Sequence, residues 1–408
     1  MKILMLTQLF QPEPNHLKGL AFAKEMIRLG HSVEVLTGFP NYPGGKIYAG
    51  YKQSWYMREL LDAVTVIRVP LLADHSRSTL KRMLCYVSFA FSACIPGIFL
   101  VKRPDIVHVY QGPVTLALPA IVLKLFLGVP YVLDVQDLWP ESVIGSGMLK
   151  RFRYLSSISH FWCDLTYHFA TKIVVLSPGY KQAIMQRGVP AEKIDVVYNW
   201  CDDFQESVPE EEADTNPFGL NGYFNVIYAG NLGCVQALDS VVKAAELIKD
   251  EFPNLRMIFV GDGVAKERLK KLVDDGNISN VRFIPRQPVE RIGAILKKSD
   301  ALLIHLRDDP LSQIGIPQKT QAYLAAGRPI IMAMRGDAAN LLKNACAGVT
   351  CEQENPESIA TAIRTLIQMT PEERNNMAIN GRQYYVDNLS FSVGSRQMEN
   401  ILLSVANG

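Results

Sequence analysis

Nowhere in the 408 residues does an Asp-x-Asp pair occur, and the seven histidines share no spacing that would gather a metal ion. No metal is therefore expected, and any diphosphate has to be neutralised by side-chain cations and main-chain amides. Cysteine is sparse: seven, scattered, with no Cys-x-x-Cys pair. That excludes a disulfide framework or a zinc ribbon and fits a reducing compartment, with thiols packed as small apolar groups. The full dinucleotide fingerprint and the Walker loop are both missing, as are tandem repeats and low-complexity tracts. Aromatic and basic residues do not interleave in any one stretch, which leaves a nucleic-acid role unsupported. The opening Met1-Lys-Ile-Leu-Met-Leu-Thr7 is too short for a secretory signal and runs straight into a strand pattern.

What is present is a chain long enough for two domains, with 48% hydrophobic and 20% charged residues and a mean hydropathy of +0.07. The net charge of +2 hides an asymmetry. Residues 1–200 hold 21 bases against 13 acids, residues 201–222 hold seven acids and no base, and residues 223–408 hold 21 bases against 20 acids. A basic first half beside a neutral second half suggests an anionic partner for the first domain alone. Nucleic acid, an anionic membrane and a phosphorylated substrate all fit that charge.

Short apolar, β-rich runs alternate with longer helical segments, which predicts a parallel sheet in each half. Strands are expected at Lys2–Thr7, Ser32–Leu36, Val64–Val69, Asp105–Tyr110, Tyr131–Val135, Lys172–Leu176 and Asp195–Tyr198. A second set is expected at Phe224–Ala229, Arg256–Val260, Val281–Ile284, Ala301–His305 and Pro329–Met332. Helices are expected at Leu17–Leu29, Val114–Leu127, Pro356–Met369, Pro371–Asp387 and Val393–Ala406. The divisions are 1–200 for a first domain, 201–222 for an acidic, proline-containing linker, 223–387 for a second domain and 388–408 for a closing helix. Ligands of such sheets sit beyond the strand C-termini.

Five segments can carry chemistry. Gly315-Ile-Pro-Gln-Lys-Thr-Gln-Ala-Tyr-Leu-Ala-Ala-Gly327 reads as a loop and a helix that puts Lys319 in its first turn, where free amides and partial positive charge suit a diphosphate. The same pattern also serves any loop-helix-strand unit. Gly230-Asn-Leu-Gly233 and Gly261-Asp-Gly263 follow strands and can wrap a phosphate, although each is a weak signal alone. Gln136-Asp-Leu-Trp-Pro-Glu141 follows a strand, so Asp137 and Glu141 can bind or deprotonate a hydroxyl; Asp137 can equally cap a turn, and Trp139 reads as packing. Met83–Val101 contains no charge and lies between Lys81-Arg82 and Lys102-Arg103. It fits a core helix, a helix that dips into a membrane face through Phe89, Phe91 and Phe99, or a membrane span.

The order of these parts resembles the family-4 glycosyltransferases. The likeness rests on Phe10-Gln-Pro-Glu-Pro14, Gly30-His-Ser-Val-Glu-Val-Leu-Thr37, Val197-Tyr-Asn-Trp-Cys-Asp202, Tyr228-Ala-Gly-Asn-Leu-Gly233, Phe259-Val-Gly-Asp-Gly263 and the Lys319 segment. Phe39-Pro-Asn-Tyr-Pro43 and Asp137-Leu-Trp-Pro-Glu-Ser142 look like the WbuB-like branch, associated with N-acetyl-L-fucosamine transfer in O-antigen or capsule assembly. The resemblance covers almost the whole chain. It implies an α/β protein of GT-B fold, with two Rossmann-like domains facing a central cleft and a C-terminal helix that crosses back to the first.

The resemblance also implies residue roles. The nucleotide sugar would meet Gly230, Asn231, Gly233, Gly261, Asp262, Gly263, Arg286, Gly315, Ile316, Gln318, Lys319 and Gln321. The acceptor would meet His16, Lys18 and Gly19, with Asp137, Glu141 and Lys319 as the catalytic set. Departures from the family pattern are specific. Its two glutamates are matched by Ile314 and Ala322, so Gln318 or Gln321 would replace the ribose contact. Its Arg and Lys after the first strand of the second domain are matched by Asn231 and Gln236, and Gln136 stands where many relatives have histidine. The function implied is transfer of a sugar from UDP to a polyprenyl-diphosphate-linked saccharide, by a cytoplasmic enzyme held peripherally at the inner membrane. Rivals are a GT-B enzyme with a soluble acceptor, such as a sucrose- or trehalose-type synthase, and a non-enzymatic two-domain binding protein.

Overall fold

The computed structural model describes residues 1–15, 17–74, 76, 78–139, 141, 153–201 and 218–408. These fall into two units, one formed by Met1–Tyr198 with Gly394–Gly408 and the other by Asn199–Val393. Most of the segment expected to be the acidic linker, residues 202–217, lies outside the described residues.

The first unit is one eight-stranded sheet made of β1 (Lys2–Leu6), β2 (Ser32–Gly38), β3 (Met57–Leu61), β4 (Val64–Val69), β5 (Ile106–Gln111), β6 (Tyr131–Val135), β7 (Lys172–Val175) and β8 (Ile194–Val196). Its order is β3-β4-β2-β1-β5-β6-β7-β8, parallel throughout except for the β3–β4 pair. The crossovers carry α1 (Leu20–Arg28), α2 (Thr79–Phe99), α3 (Ala117–Leu127), α4 (Arg153–Phe169) and α5 (Pro178–Met185). Val35, Leu36, Val107, Val109, Val132 and Leu133 are wholly buried, as parallel strands covered on both faces require. The winding direction reverses between β1 and β5, the position at which such sheets bind ligands.

Strand β3 was not expected from its sequence. It is an edge strand whose side chains alternate between half-buried and exposed, so Met-Arg-Glu-Leu-Leu carries no continuous apolar run. Helix α1 starts at Leu20 rather than Leu17, because the chain turns sharply at Gly19: a Cβ there would lie 2.3 Å from the Asn15 carbonyl oxygen. Helix α2 resolves the reading of Met83–Val101. Cys85, Phe89, Ala90 and Ala93 are buried in the unit's core, while Leu80, Leu84, Phe91, Ile95 and Phe99 are exposed. The expectation that Phe89 faces a membrane is thereby corrected; it faces the core.

The second unit is a six-stranded sheet of β9 (Phe224–Ala229), β10 (Leu255–Val260), β11 (Val281–Ile284), β12 (Ala301–His305), β13 (Ile330–Ala333) and β14 (Gly348–Cys351). Its order, β11-β10-β9-β12-β13-β14, is the order of a dinucleotide-binding Rossmann sheet, all parallel. Helices α6 (Asp239–Leu247), α7 (Lys266–Asp275), α8 (Val289–Lys297), α9 (Pro310–Ile314), α10 (Gln318–Ala326) and α11 (Asp337–Asn344) connect the strands. After β14 come α12 (Pro356–Gln368) and α13 (Pro371–Asn388), each with proline in its first turn and a side-chain cap, from Asn355 to the Ser358 amide and from Thr370 to the Glu373 amide. Strand β14 escaped prediction for the same reason as β3: it is an edge strand, half-exposed along its length. The last helix, α14 (Phe391–Asn407), joins the first unit from Gly394 onward, where Glu399 meets the His31 ring at 2.8 Å.

Candidate active site

The cavity of about 410 Å³ in the second unit is built at the C-terminal ends of β9, β10 and β11, together with α10. Its size suits a nucleotide-sized ligand. Gly230 follows β9 and Gly261 follows β10, and the two loops are stitched by amide hydrogen bonds from Gly230 to Val260 (2.8 Å), Leu232 to Asp262 (2.8 Å) and Ala265 to Leu232 (2.9 Å). Glycine is required for this approach. A Cβ on Gly261 would lie 2.0 Å from the Gly230 carbonyl oxygen, and a Cβ on Gly263 2.4 Å from that of Leu232. The glycines therefore serve first to bring backbone against backbone, which brings the loop ends to the cavity mouth.

Lys319 enters from the second position of α10, a helix with no side-chain cap at its start. Its ammonium lies 3.8 Å from the centroid of the Tyr228 ring and donates a hydrogen bond to the Tyr228 hydroxyl. It passes directly over Gly230, where a Cβ would stand 2.6 Å from Lys319 Cε; with φ at +138°, that position admits glycine alone. Burial of the ammonium, without a carboxylate to offset it, lowers the Lys319 pKa to about 7. A diphosphate placed against it would return the proton and gain a charge-assisted contact in a low-dielectric setting. Tyr323, one turn further along α10, fixes the helix to β9: its hydroxyl accepts from the Ala229 amide at 2.8 Å.

Of the residues expected at the donor, the structure brings Gly230, Asn231, Gly261, Asp262, Arg286 and Lys319 to this one cavity. Gly233 and Gly263 lie in the stitched loops behind it, with the Gly233 amide donating to Gln236 at 3.1 Å and the Gly263 amide to Asp262 at 2.8 Å. Gly315, Ile316, Gln318 and Gln321 do not line the cavity; Gln318 points outward and Gln321 is buried. Sequence reasoning missed Tyr228, Tyr323, Ile292 and Leu296. Tyr323 could have been found, since it shares a helical face with Lys319 four residues away. Tyr228 could not, because its pairing with Lys319 joins residues 91 apart.

In the first unit, Asp137 follows β6 on the sheet's C-terminal edge. The residue is exposed on one side, yet burial by the protein around the carboxyl raises its pKa. Glu141 points to Arg187, at 4.0 Å, and Arg187 also donates to the Trp139 carbonyl oxygen at 2.8 Å and pairs with Asp164 at 2.7 Å. Arg187 thus ties the 137–141 loop to α4, and Trp139 packs in the core as its sequence suggested. Lys18 is buried rather than displayed. It lies 3.9 Å from Asp134, which also meets His108 at 3.6 Å and accepts from Gln136 at 2.6 Å. Burial drives the Lys18 pKa down; at Asp134 burial acts upward, but Lys18, His108 and Gln136 together leave that pKa lowered. Gly19 forms the tight turn beside Lys18, and His16 is outside the described residues. No group of three or more metal-ligating side chains occurs among the described residues.

With this geometry in view, comparison with known proteins is decisive. The family model for glycosyl transferase 4-like domains matches residues 20–200, and that for glycosyl transferases group 1 matches residues 211–384. The chain is a family-4-like glycosyltransferase. The enzyme is 28% identical over 382 residues to the putative colanic acid biosynthesis glycosyl transferase WcaI of Escherichia coli K12, covering 89% of this chain and 91% of that one. It is 24% identical over 294 residues to the probable glycosyltransferase WbjE of Pseudomonas aeruginosa, covering 71% and 73%. The structure of Anabaena Alr3699/HepE in complex with UDP superposes with a TM-score of 0.73 at 16% identity, over 99% of this enzyme and all of that chain. The enzyme therefore has the GT-B class of fold, two Rossmann-like units in one chain.

Proposed function

We propose that the enzyme transfers a sugar from a UDP-sugar, held in the second unit, to a saccharide carried on a polyprenyl diphosphate. The single observation that carries the donor half is Lys319, a half-buried cation over Gly230 in a cavity of about 410 Å³. The UDP bound by the structural relative supports the same class of ligand here. In the reaction the acceptor oxygen bonds to the anomeric carbon while the bond from that carbon to the diphosphate oxygen breaks. The charge that develops on the leaving nucleoside diphosphate falls to Lys319, Arg286 and the start of α10. Asp137, with its raised pKa, takes the hydroxyl proton in a direct displacement that inverts the anomeric carbon; passage of that proton to the leaving phosphate instead would retain it.

The sugar we infer is N-acetyl-L-fucosamine or a related N-acetylated deoxyhexose, from the motifs at Phe39–Pro43 and Asp137–Ser142. A relative named for colanic acid biosynthesis supports a place in surface polysaccharide assembly. The basic first 200 residues suit an anionic, lipid-linked acceptor, and with it a site of action at the cytoplasmic face of a membrane. The test is a panel of UDP-sugars offered with a short-chain prenyl-diphosphate saccharide or with free sugar phosphates, the product being solved by NMR. Transfer to the prenyl-linked acceptor is expected; transfer to soluble acceptors alone, or none with any UDP-sugar, overturns the proposal.

A further inference from the structure

Helix α2 divides its side chains between two environments. On a helix of 3.6 residues per turn, Leu80, Leu84, Phe91, Ile95 and Phe99 fall within an arc of about 100°, and all five are exposed. Phe91 is 65% and Phe99 76% accessible, whereas Phe89 on the opposite face is fully buried. Apolar side chains recur on this arc along the length of the helix, interrupted by Ser88 midway and bordered by Lys81 at the Leu80 end. Because the buried face belongs to the core, α2 cannot leave the unit to cross a bilayer.

Neighbouring elements widen the stripe. Gly97 of α2 packs against Leu123 of α3, and Arg103 donates to the Leu127 carbonyl oxygen, so the exposed Leu125 and Phe126 are carried to the Phe99 end. Midway along, a groove of about 580 Å³ is lined by Trp55, Leu72, Ser88 and Ser92, with Trp55 85% accessible. Trp at the edge of an apolar surface is the side chain that favours a membrane-water boundary. Cations stand at both ends. Lys81 is exposed near Leu80, 3.9 Å from Asp74; Arg58, Lys102 and Arg103 are exposed at the other end, where Arg58 donates to the Leu100 carbonyl oxygen at 2.6 Å.

We infer that this face of the first unit is a bilayer-docking surface, with the α2 stripe, Phe126 and Trp55 set into the headgroup boundary and Lys81, Lys102 and Arg103 on anionic headgroups. A helix of this kind buries its apolar side chains roughly 5–10 Å deep, and each basic residue near the surface adds to the attraction toward anionic lipid. An apolar band bracketed by cations fits anionic lipid better than a second protein surface, whose buried centre would gain nothing from the cations at its ends. The topology gives the docking a direction. Helix α2 returns from β4 to β5, so its Leu80 end lies at the sheet edge where the strands finish and Asp137 follows β6. Lying on this flank leaves that edge beside the lipid rather than beneath it, open to a lipid-linked sugar.

The inference adds to the lipid-linked acceptor proposed above without depending on it: vesicle binding without use of that acceptor keeps this surface and removes the other. The test is cosedimentation of the full chain with phosphatidylcholine vesicles, with and without phosphatidylglycerol. Binding to the anionic vesicles is expected. The triple substitution Phe91→Ser, Ile95→Ser, Phe99→Ser should lower it about tenfold or more on both lipids. Lys102→Glu, which leaves the Arg103–Leu127 hydrogen bond and every apolar side chain in place, should weaken binding to anionic vesicles only. UDP affinity should stay unchanged in both variants. Wild-type protein that ignores both vesicles, or variants that bind as wild type does, overturns the surface. So does a dimer in solution that the triple substitution dissociates, since a second copy would then be what covers the stripe.

Discussion

Lys319 is a cation kept where its charge is disfavoured, and its proton is therefore a reporter of what fills the cavity. With its pKa lowered by burial to about 7, the free enzyme has this amine largely neutral at about pH 8. An arriving diphosphate favours the charged form, so UDP binding at that pH should take up a proton. Calorimetry in buffers of different ionisation enthalpy reads this directly; a binding heat that ignores the buffer would mean the amine does not meet phosphate. Lys319→Ala should weaken UDP by about tenfold or more while changing uridine little. Folding is linked with the opposite sign: between pH 7 and the ordinary lysine pKa the unfolded chain holds the extra proton, so this residue lets stability rise with pH. Asp137 carries a second expectation. Asp137→Asn keeps shape but cannot accept a proton, so transfer should fall on the order of 10²-fold with UDP affinity intact, measured as kcat beside Kd. Near-normal turnover would remove Asp137 from the mechanism.

Among the elements, the β9 and β10 loops show how backbone sets side-chain position. Gly230→Ala would drive a methyl into Lys319 and hold a non-glycine residue at φ +138°, so a stability loss of about 1–3 kcal/mol and weaker UDP binding are expected together. Chemical denaturation and a binding titration on the same preparation check both, and a variant that binds UDP normally would show that Lys319 finds another path. The elements were legible where their physics is local. Strands such as Tyr131–Val135 and Ala301–His305 are buried on both faces and mostly apolar, and they announce themselves. The edges β3 and β14 are half-wet and do not. The site was legible where glycine and lysine sit in sequence beside strand ends. It was illegible where tertiary folding made the contact, as with Tyr228 under Lys319, or where a charge was taken inward, as with Lys18 against Asp134. The two faces of α2 needed the fold as well: an uncharged run states that a helix is apolar, not which side chains meet the core.

For the molecule as a whole, every residue named at the donor cavity belongs to the second unit, which has its own core around Tyr228, Phe259, Leu303 and Ile363. A polypeptide of residues 199–393 should therefore fold and bind UDP within about threefold of the intact enzyme, while transferring nothing, because Asp137 is not in it. Loss of UDP binding by a folded fragment would show that the first unit helps to form the pocket.

The return of α14 gives the chain a further property. Both termini reside in the first unit, so the second is an insertion joined by two covalent strands, one at Tyr198–Asn199 and one at Val393–Gly394. A single cut at Tyr198–Asn199 leaves the two units tied through the other strand, whereas losing the last fifteen residues strips a helix, and its Glu399–His31 contact, from a unit nearly two hundred positions upstream.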